Sequence, residues 1–165
     1  MQVPIRKPGK YTHLKPDPHL TPEKFSELEN KLSRMKNKRP YLISEVQRLA
    51  LMGDFSENAA YQIAKGQLRG LNQRILDLED HLKKAIIIQP PIDTEKIRLG
   101  HHITVEVNGQ EKTYLLLGSS ETNPTAGVIS HNSPLGSALL GHKVGEIVKV
   151  KLAKKDAEYK IIKIL

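Results

Sequence analysis

Two apolar runs on either side of Gly53-Asp54-Phe55-Ser56-Glu57 leave this chain little choice of fold. Phe25, Leu28, Leu32, Met35, Arg39, Leu42, Val46 and Leu49 recur at alternating steps of three and four, and so do Tyr61, Ala64, Leu68, Leu71, Ile75, Leu78, Leu82 and Ala85. These are two heptad seams, with Arg39 the one basic intruder. Paired from the middle outward, from Leu49 with Tyr61 to Phe25 with Ala85, the position numbers of each pair sum to 110. A constant sum marks an antiparallel hairpin, here centred on Phe55. At about 1.5 Å per residue, arms of roughly thirty residues reach about 45 Å. Asp54 and Glu57 are therefore expected at the end of a long stiff rod.

Two readings of that acid pair stay open. Asp54-Phe55-Ser56-Glu57 matches a helix capping box, in which Asp54 accepts from the third amide of the helix and Glu57 reaches back to the cap amide. A hairpin, however, needs only a polar turn and not a long rod to present one. Two carboxylates alone are poor holders of Mg²⁺, which keeps waters and shares carboxylates with phosphate oxygens. Brought into a partner's site that already contains phosphates and one metal, the same pair suits two-metal phosphodiester chemistry.

The 165 residues fit one compact domain plus an extended element. The absence of cysteine removes disulfides and thiolate metal sites and suits a reducing cytoplasm. No apolar run approaches the roughly 18 residues of a membrane span, and residues 1–19 lack the apolar stretch of a secretory signal. A net charge of +8 favours RNA, DNA or an acidic protein surface as partner. Two Phe, five Tyr and no Trp leave few rings for stacking, so a sequence reader of single strands is not favoured.

The chain divides into three parts. Residues 1–20, with Pro4, Pro8, Pro16 and Pro18 among basic residues, read as a flexible or draped basic extension. Residues 21–88 are the coiled-coil hairpin, begun by Thr21 as N-cap, Pro22 in the first turn and Glu23 behind it. Pro40 is expected to kink the first arm without ending it, because the heptad phase runs through it. Gly66 and Gly70 weaken the returning arm by about 1 kcal/mol each relative to Ala. Residues 89–165 form a compact domain entered through Gln89-Pro90-Pro91. Its strands are expected at 102–107 and 112–117, joined by a type I′ turn at Asn108-Gly109, then at 127–130, 146–152 and 158–165, with a short helix over 134–140 after Ser133. The fold class is α+β.

At the residue level the chain resembles the Gre family of bacterial transcript cleavage factors, GreA and GreB. Leu20-Thr21-Pro22-Glu23, Lys38-Arg39-Pro40 and above all Gly53 through Tyr61 are similar to the family's N-terminal hairpin. Ile129-Ser130 through Ser133-Pro134, Ala138 through Gly141 and Val144-Gly145-Glu146 resemble its C-terminal domain. The resemblance covers about residues 20–165 and implies a coiled-coil finger followed by an FKBP-like antiparallel β-sheet domain. It further implies that the globular domain docks on RNA polymerase at the rim of the secondary channel and that the finger enters to reach the active centre. There the acids at Asp54 and Glu57 help hold a second Mg²⁺ and a nucleophilic water beside the nascent RNA 3′ end. Polymerase then hydrolyses backtracked RNA, and the factor is not itself an enzyme. On this reading Mg²⁺ is bound only within the complex, the free protein holds no cofactor, and it acts as a monomer. Ala60 departs from the pattern by standing where the family usually carries another acid.

Lys31, Arg34, Lys36, Lys38, Arg39 and Arg48, with Arg69 and Arg74 opposite, give the rod a basic middle. Each alone reads as a solvated surface charge. As a group, Lys31, Arg34, Lys38, Arg48, Arg69 and Arg74 are candidate RNA contacts, since phosphate contacts position a strand without reading it. Arg39 is expected to snorkel or to fix register. The seven His show no metal-ligand spacing, and His101-His102 face opposite sides of a strand, so no zinc site is expected. Ser130, Ser133 and Ser137 have no paired base and read as turn or cap residues. Two further functional classes stand beside transcript cleavage: a non-cleaving channel regulator of the same shape, and a basic coiled-coil nucleic-acid binder with steep salt dependence.

Overall fold

The computed structural model describes residues 16–52, 58–151 and 156–165. Helix α1 spans Pro22–Ala50 and α2 spans Ala59–Lys83. They pack along the two seams, and every seam residue is buried or half-buried except Arg39, which is exposed as a snorkelling base should be. Leu42, Leu71 and Ile75 form the hairpin core with Leu32, Met35 and Leu68 around them. Those contacts match the antiparallel pairing, since Leu42 with Leu68 and Met35 with Ile75 are facing pairs. Pro40 lies inside α1, which continues past it.

Thr21 caps α1 through its hydroxyl, which accepts from Lys24 N at 3.1 Å. The N-cap of α2 is Asn58, not the Asp54 that the capping-box pattern offered: Asn58 Oδ1 accepts from Tyr61 N at 3.0 Å. Asparagine is as good an N-cap as aspartate, and its position one residue before Ala59 decides between them.

Residues 16–20, expected within a flexible or draped extension, are not flexible but laid against the rest of the chain and built into the fold. Strand β1, His19–Leu20, pairs in parallel with β2, Ile86–Ile87, just past the end of α2. Leu20 is fully buried, and a single apolar residue beside prolines gave no periodic signal of that burial. Residues 1–15 lie outside the described residues.

The second domain is a five-stranded sheet in the order β5-β4-β3-β7-β6. Its strands are β3, His102–Val107; β4, Gln110–Leu117; β5, Val128–Ser130; β6, Ile147–Lys151; and β7, Asp156–Ile164. Asn108 and Gly109 both take positive φ, +52° and +73°, as the two-residue turn between β3 and β4 requires. The sheet is not wholly antiparallel, because β4 and β5 run parallel. A parallel neighbour needs a crossover, and residues 118–127 supply it with two short 3₁₀ turns, Ser119–Glu121 and Pro124–Ala126. Helix α3, Pro134–Leu139, starts from Ser133, whose hydroxyl accepts from Gly136 N, and places Leu139 in a core with Ile97, Ile103, Val105, Leu116, Val150 and Ile161. No described helix is long and apolar enough to cross a membrane.

Candidate functional site at the far end and root of the hairpin

The acid pair, Asp54 and Glu57, lies outside the described residues. Both flanks are described. Helix α1 closes at Ala50, and Asn58 Nδ2 donates to Leu49 O at 3.0 Å, tying the two arms together where the linking segment leaves them. Leu51, Met52 and Ile63 are exposed around this end, with Leu51 keeping 89% of its surface. Tyr61 is half-buried, and Lys65 Nζ stands 5.6 Å from the centre of its ring. The first turn of α2 carries no acid, and Ala60 is exposed there.

All six candidate RNA contacts are exposed, but they do not form one face. Lys31, Arg34 and Lys38 fall within about 60° of one another around α1. Lys31 and Arg74 line one groove between the arms together with Asp77 and His81. Arg69 is five residues from Arg74, about 140° around α2, and belongs to another side. Arg48 is engaged by Glu45, with Nη2 to Oε1 at 2.7 Å and Nε to Oε2 at 3.0 Å. Arg74 Nε donates to Gly70 O at 3.1 Å. Across the opposite groove Lys36 pairs with Glu79 at 2.7 Å. Lys31, Arg34, Lys38 and Arg74 thus make the candidate strand-facing set.

At the root, the chain builds a polar junction that sequence reasoning missed. Asp17 Oδ1 accepts from His19 N at 3.1 Å and faces His19 Nδ1 at 2.9 Å. Its Oδ2 accepts from Ser119 N at 2.7 Å and Asn132 Nδ2 at 3.3 Å, and lies 3.4 Å from His131 Nδ1. The Asp17 carbonyl meets His81 Nε2 at 2.9 Å, so α2 joins the same junction. Burial pushes the Asp17 carboxyl up, but hydrogen bonds from the Ser119 and His19 amides and side chains outweigh it and hold the pKa at about 2. Beside it, Glu121 accepts from Thr21 N at 2.9 Å and from the Thr21 hydroxyl at 2.5 Å, fixing the first residue of the hairpin to the crossover. Gly118 is pressed on this seam, where a Cβ would sit 2.1 Å from His19 O. The partners stand about a hundred positions apart, beyond the reach of spacing arguments. One signal was present: Asp17 is the only acid among the first 22 residues.

His101 and His102 point to opposite sides, the first fully buried and the second exposed. His101 Nδ1 accepts from Arg98 N at 3.0 Å, and burial pushes the His101 pKa down. It serves the sheet domain as a neutral core residue.

Comparison with known proteins agrees across nearly the whole described chain. Residues 19–87 match the family described as transcription elongation factor, N-terminal, and residues 92–165 match transcription elongation factor, GreA/GreB, C-term. The transcription elongation factor GreA of Thermomicrobium roseum is 37% identical over 132 residues, covering 79% of this chain and 85% of its own. That of Macrococcus caseolyticus is 36% identical over 149 residues, covering 88% and 94%. Among solved structures, GreA factor homolog 1 of Thermus thermophilus is 28% identical and covers 89% of this chain and 97% of its own, at a TM-score of 0.40. That overlay is too loose to carry anything from one molecule to the other.

Proposed function

The chain belongs to the GreA/GreB family of transcription elongation factors, and on that premise we propose that it acts on RNA polymerase by stimulating cleavage of backtracked nascent RNA through the secondary channel. One observation carries the reading. The hairpin is bonded at its root to a separate sheet domain, and the segment joining its opposite arm ends contains both Asp54 and Glu57. A rod held in this way delivers two carboxylates to a site that its own body does not contain.

Carboxylate oxygens are the donor type that Mg²⁺ takes, in company with water and phosphate. When bound in the polymerase centre, the ion supplies charge neutralisation and an acidified water for in-line attack on a phosphodiester. The residues of this chain have narrower tasks. Asp54 and Glu57 contribute oxygen ligands. Lys31, Arg34, Lys38 and Arg74 line a path for the extruded strand through phosphate contacts. Exposed Leu51, Met52 and Ile63 supply apolar surface to the channel wall around the far end. The chain has no nuclease activity of its own on this reading.

The test uses purified, backtracked elongation complexes with Mg²⁺, followed by shortening of the RNA 3′ end. The full chain is expected to stimulate shortening, and Asp54→Asn and Glu57→Gln each to abolish it while polymerase binding persists. Stimulation that survives both changes overturns the metal-ligand role. The acid-free first turn of α2, with Ala60 exposed, favours a second reading as a non-cleaving channel regulator. Binding with inhibition and no RNA shortening is the result that selects it.

A further inference from the structure

We propose that the root junction is a binding site for one first-row transition ion of the Zn²⁺ type, held by Asp17, His19 and His131, which staples the segment before α1 to the sheet domain. The three donors, one carboxylate oxygen and two imidazole nitrogens, all lie within 4.8 Å of one another. Donors around a tetrahedral ion at about 2.0–2.1 Å stand about 3.3 Å apart. Asp17 Oδ2 stands 3.4 Å from His131 Nδ1, and Oδ1, the other oxygen of the same carboxylate, 2.9 Å from His19 Nδ1, so turning the carboxylate and the two rings toward a common centre converts the cluster into a ligand set.

The donor set selects the metal. Two imidazoles and a carboxylate suit Zn²⁺ and its neighbours over Mg²⁺ or Ca²⁺, which prefer all-oxygen shells. Three protein ligands leave a fourth position for water.

A plain hydrogen-bonded hub explains part of this junction but leaves His131 unaccounted for. Its Nδ1 is 3.4 Å from Asp17 Oδ2 and also 3.4 Å from Leu117 O, so neither contact is a good hydrogen bond. The ring nevertheless stands with that nitrogen turned to the carboxylate, edge to face with His19 at a centroid distance of 5.2 Å. An ion between them gives the nitrogen a full partner.

The surroundings provide the outer support that ligands of this kind require. Ser119 N and Asn132 Nδ2 hold Asp17 Oδ2, and Asn132 Nδ2 also donates to Ser119 Oγ at 3.1 Å. These contacts fix the carboxylate before any ion arrives. Asp17 keeps 3% of its side-chain surface, His131 16% and His19 30%, so the site is enclosed with an open edge at His19.

The site is independent of the cleavage reading and is tested without polymerase. Full-length, chelator-stripped protein is titrated with Zn²⁺ by calorimetry and with Co²⁺ by visible absorption. One equivalent is expected to bind saturably, and Co²⁺ to give the intense band of a four-coordinate site. His19→Gln and His131→Gln are each expected to abolish both signals. Asn132→Ala is expected to lower affinity by about 10–100-fold, as loss of outer-shell support does. His102→Gln, on an exposed strand position away from the junction, should leave binding unchanged. Should His131→Gln unfold by circular dichroism, His19→Gln at the open edge still decides. No saturable binding by the unaltered chain, binding that persists in His19→Gln, or a weak octahedral Co²⁺ spectrum overturns the proposal.

Discussion

The two ends of the hairpin are held by different kinds of bond. At the root, β1 pairs with β2, the Asp17 and Glu121 carboxylates bridge to the sheet domain and to Thr21, and Gly118 lets backbone approach backbone. At the far end a neutral side-chain amide, Asn58, links the arms through one carbonyl, with Leu51 and Met52 left exposed beside it. Charged, buried hydrogen bonds are about twice as strong as neutral ones and lose more when broken. The difference teaches a division of labour: the root fixes where the rod points, and the far end is left available to a partner.

The largest test of this contrast is Gly118→Ala. Its φ of −70° suits any residue, so the objection is steric alone, a methyl 2.1 Å from a backbone oxygen. A loss of about 3 kcal/mol, the upper range for overpacking, is expected. Hydrogen exchange should quicken at residues 19–20 and 86–88 while β3 and β7 stay protected. Equal loosening of the sheet would erase the distinction between root and body.

Acid comes next. Because the folded Asp17 carboxyl titrates near 2 against an ordinary 3.8, its contribution is complete above about pH 4 and disappears as pH falls toward 2. The difference is worth about 2 kcal/mol at neutral pH. Urea denaturation of the natural chain and Asp17→Asn should show a gap in stability at pH 7 that narrows as pH drops toward 2. A gap that stays constant with pH removes the carboxylate from the root's defence.

Asn58→Ala sharpens the other side. Loss of the α2 cap and of the bond to Leu49 O is expected to cost about 1 kcal/mol, read as faster exchange over residues 59–62 with the root unchanged. Lys36→Met should do least. The Lys36–Glu79 pair is exposed on both sides, and a change below about 0.5 kcal/mol in denaturation midpoint experiments is expected.

Legibility in the sequence followed the range of the physics involved. The seams, the Thr21 and Ser133 caps and the Asn108-Gly109 turn depend on neighbours within a few residues, and each is found as the pattern reads. Parallel pairing of β4 with β5 depends on where a ten-residue crossover lands, and no local period encodes that. Residues 16–20 misled because prolines suggest an extension, whereas their order comes from carboxylate and backbone bonds to residues far along the chain. Of the candidate site, Asp54 and Glu57 were legible as residue types at a heptad centre and lie outside the described structure. The basic patch was legible as charge, but its division between faces needed the helices' azimuths and the grooves between them.

Burial of Asp17 bears on how the molecule tolerates trimming. A polypeptide begun at residue 19, where the family match starts, retains both helices and every strand of the five-stranded sheet, yet it removes the carboxylate that accepts from the Ser119 amide and from Asn132 Nδ2. The Ser119 amide would lose its acceptor, Asn132 Nδ2 would keep only its bond to Ser119 Oγ, and the histidine on α2 would lose its carbonyl neighbour. Such a fragment would fold with a slack wrist, its rod swinging where the intact chain holds it steady.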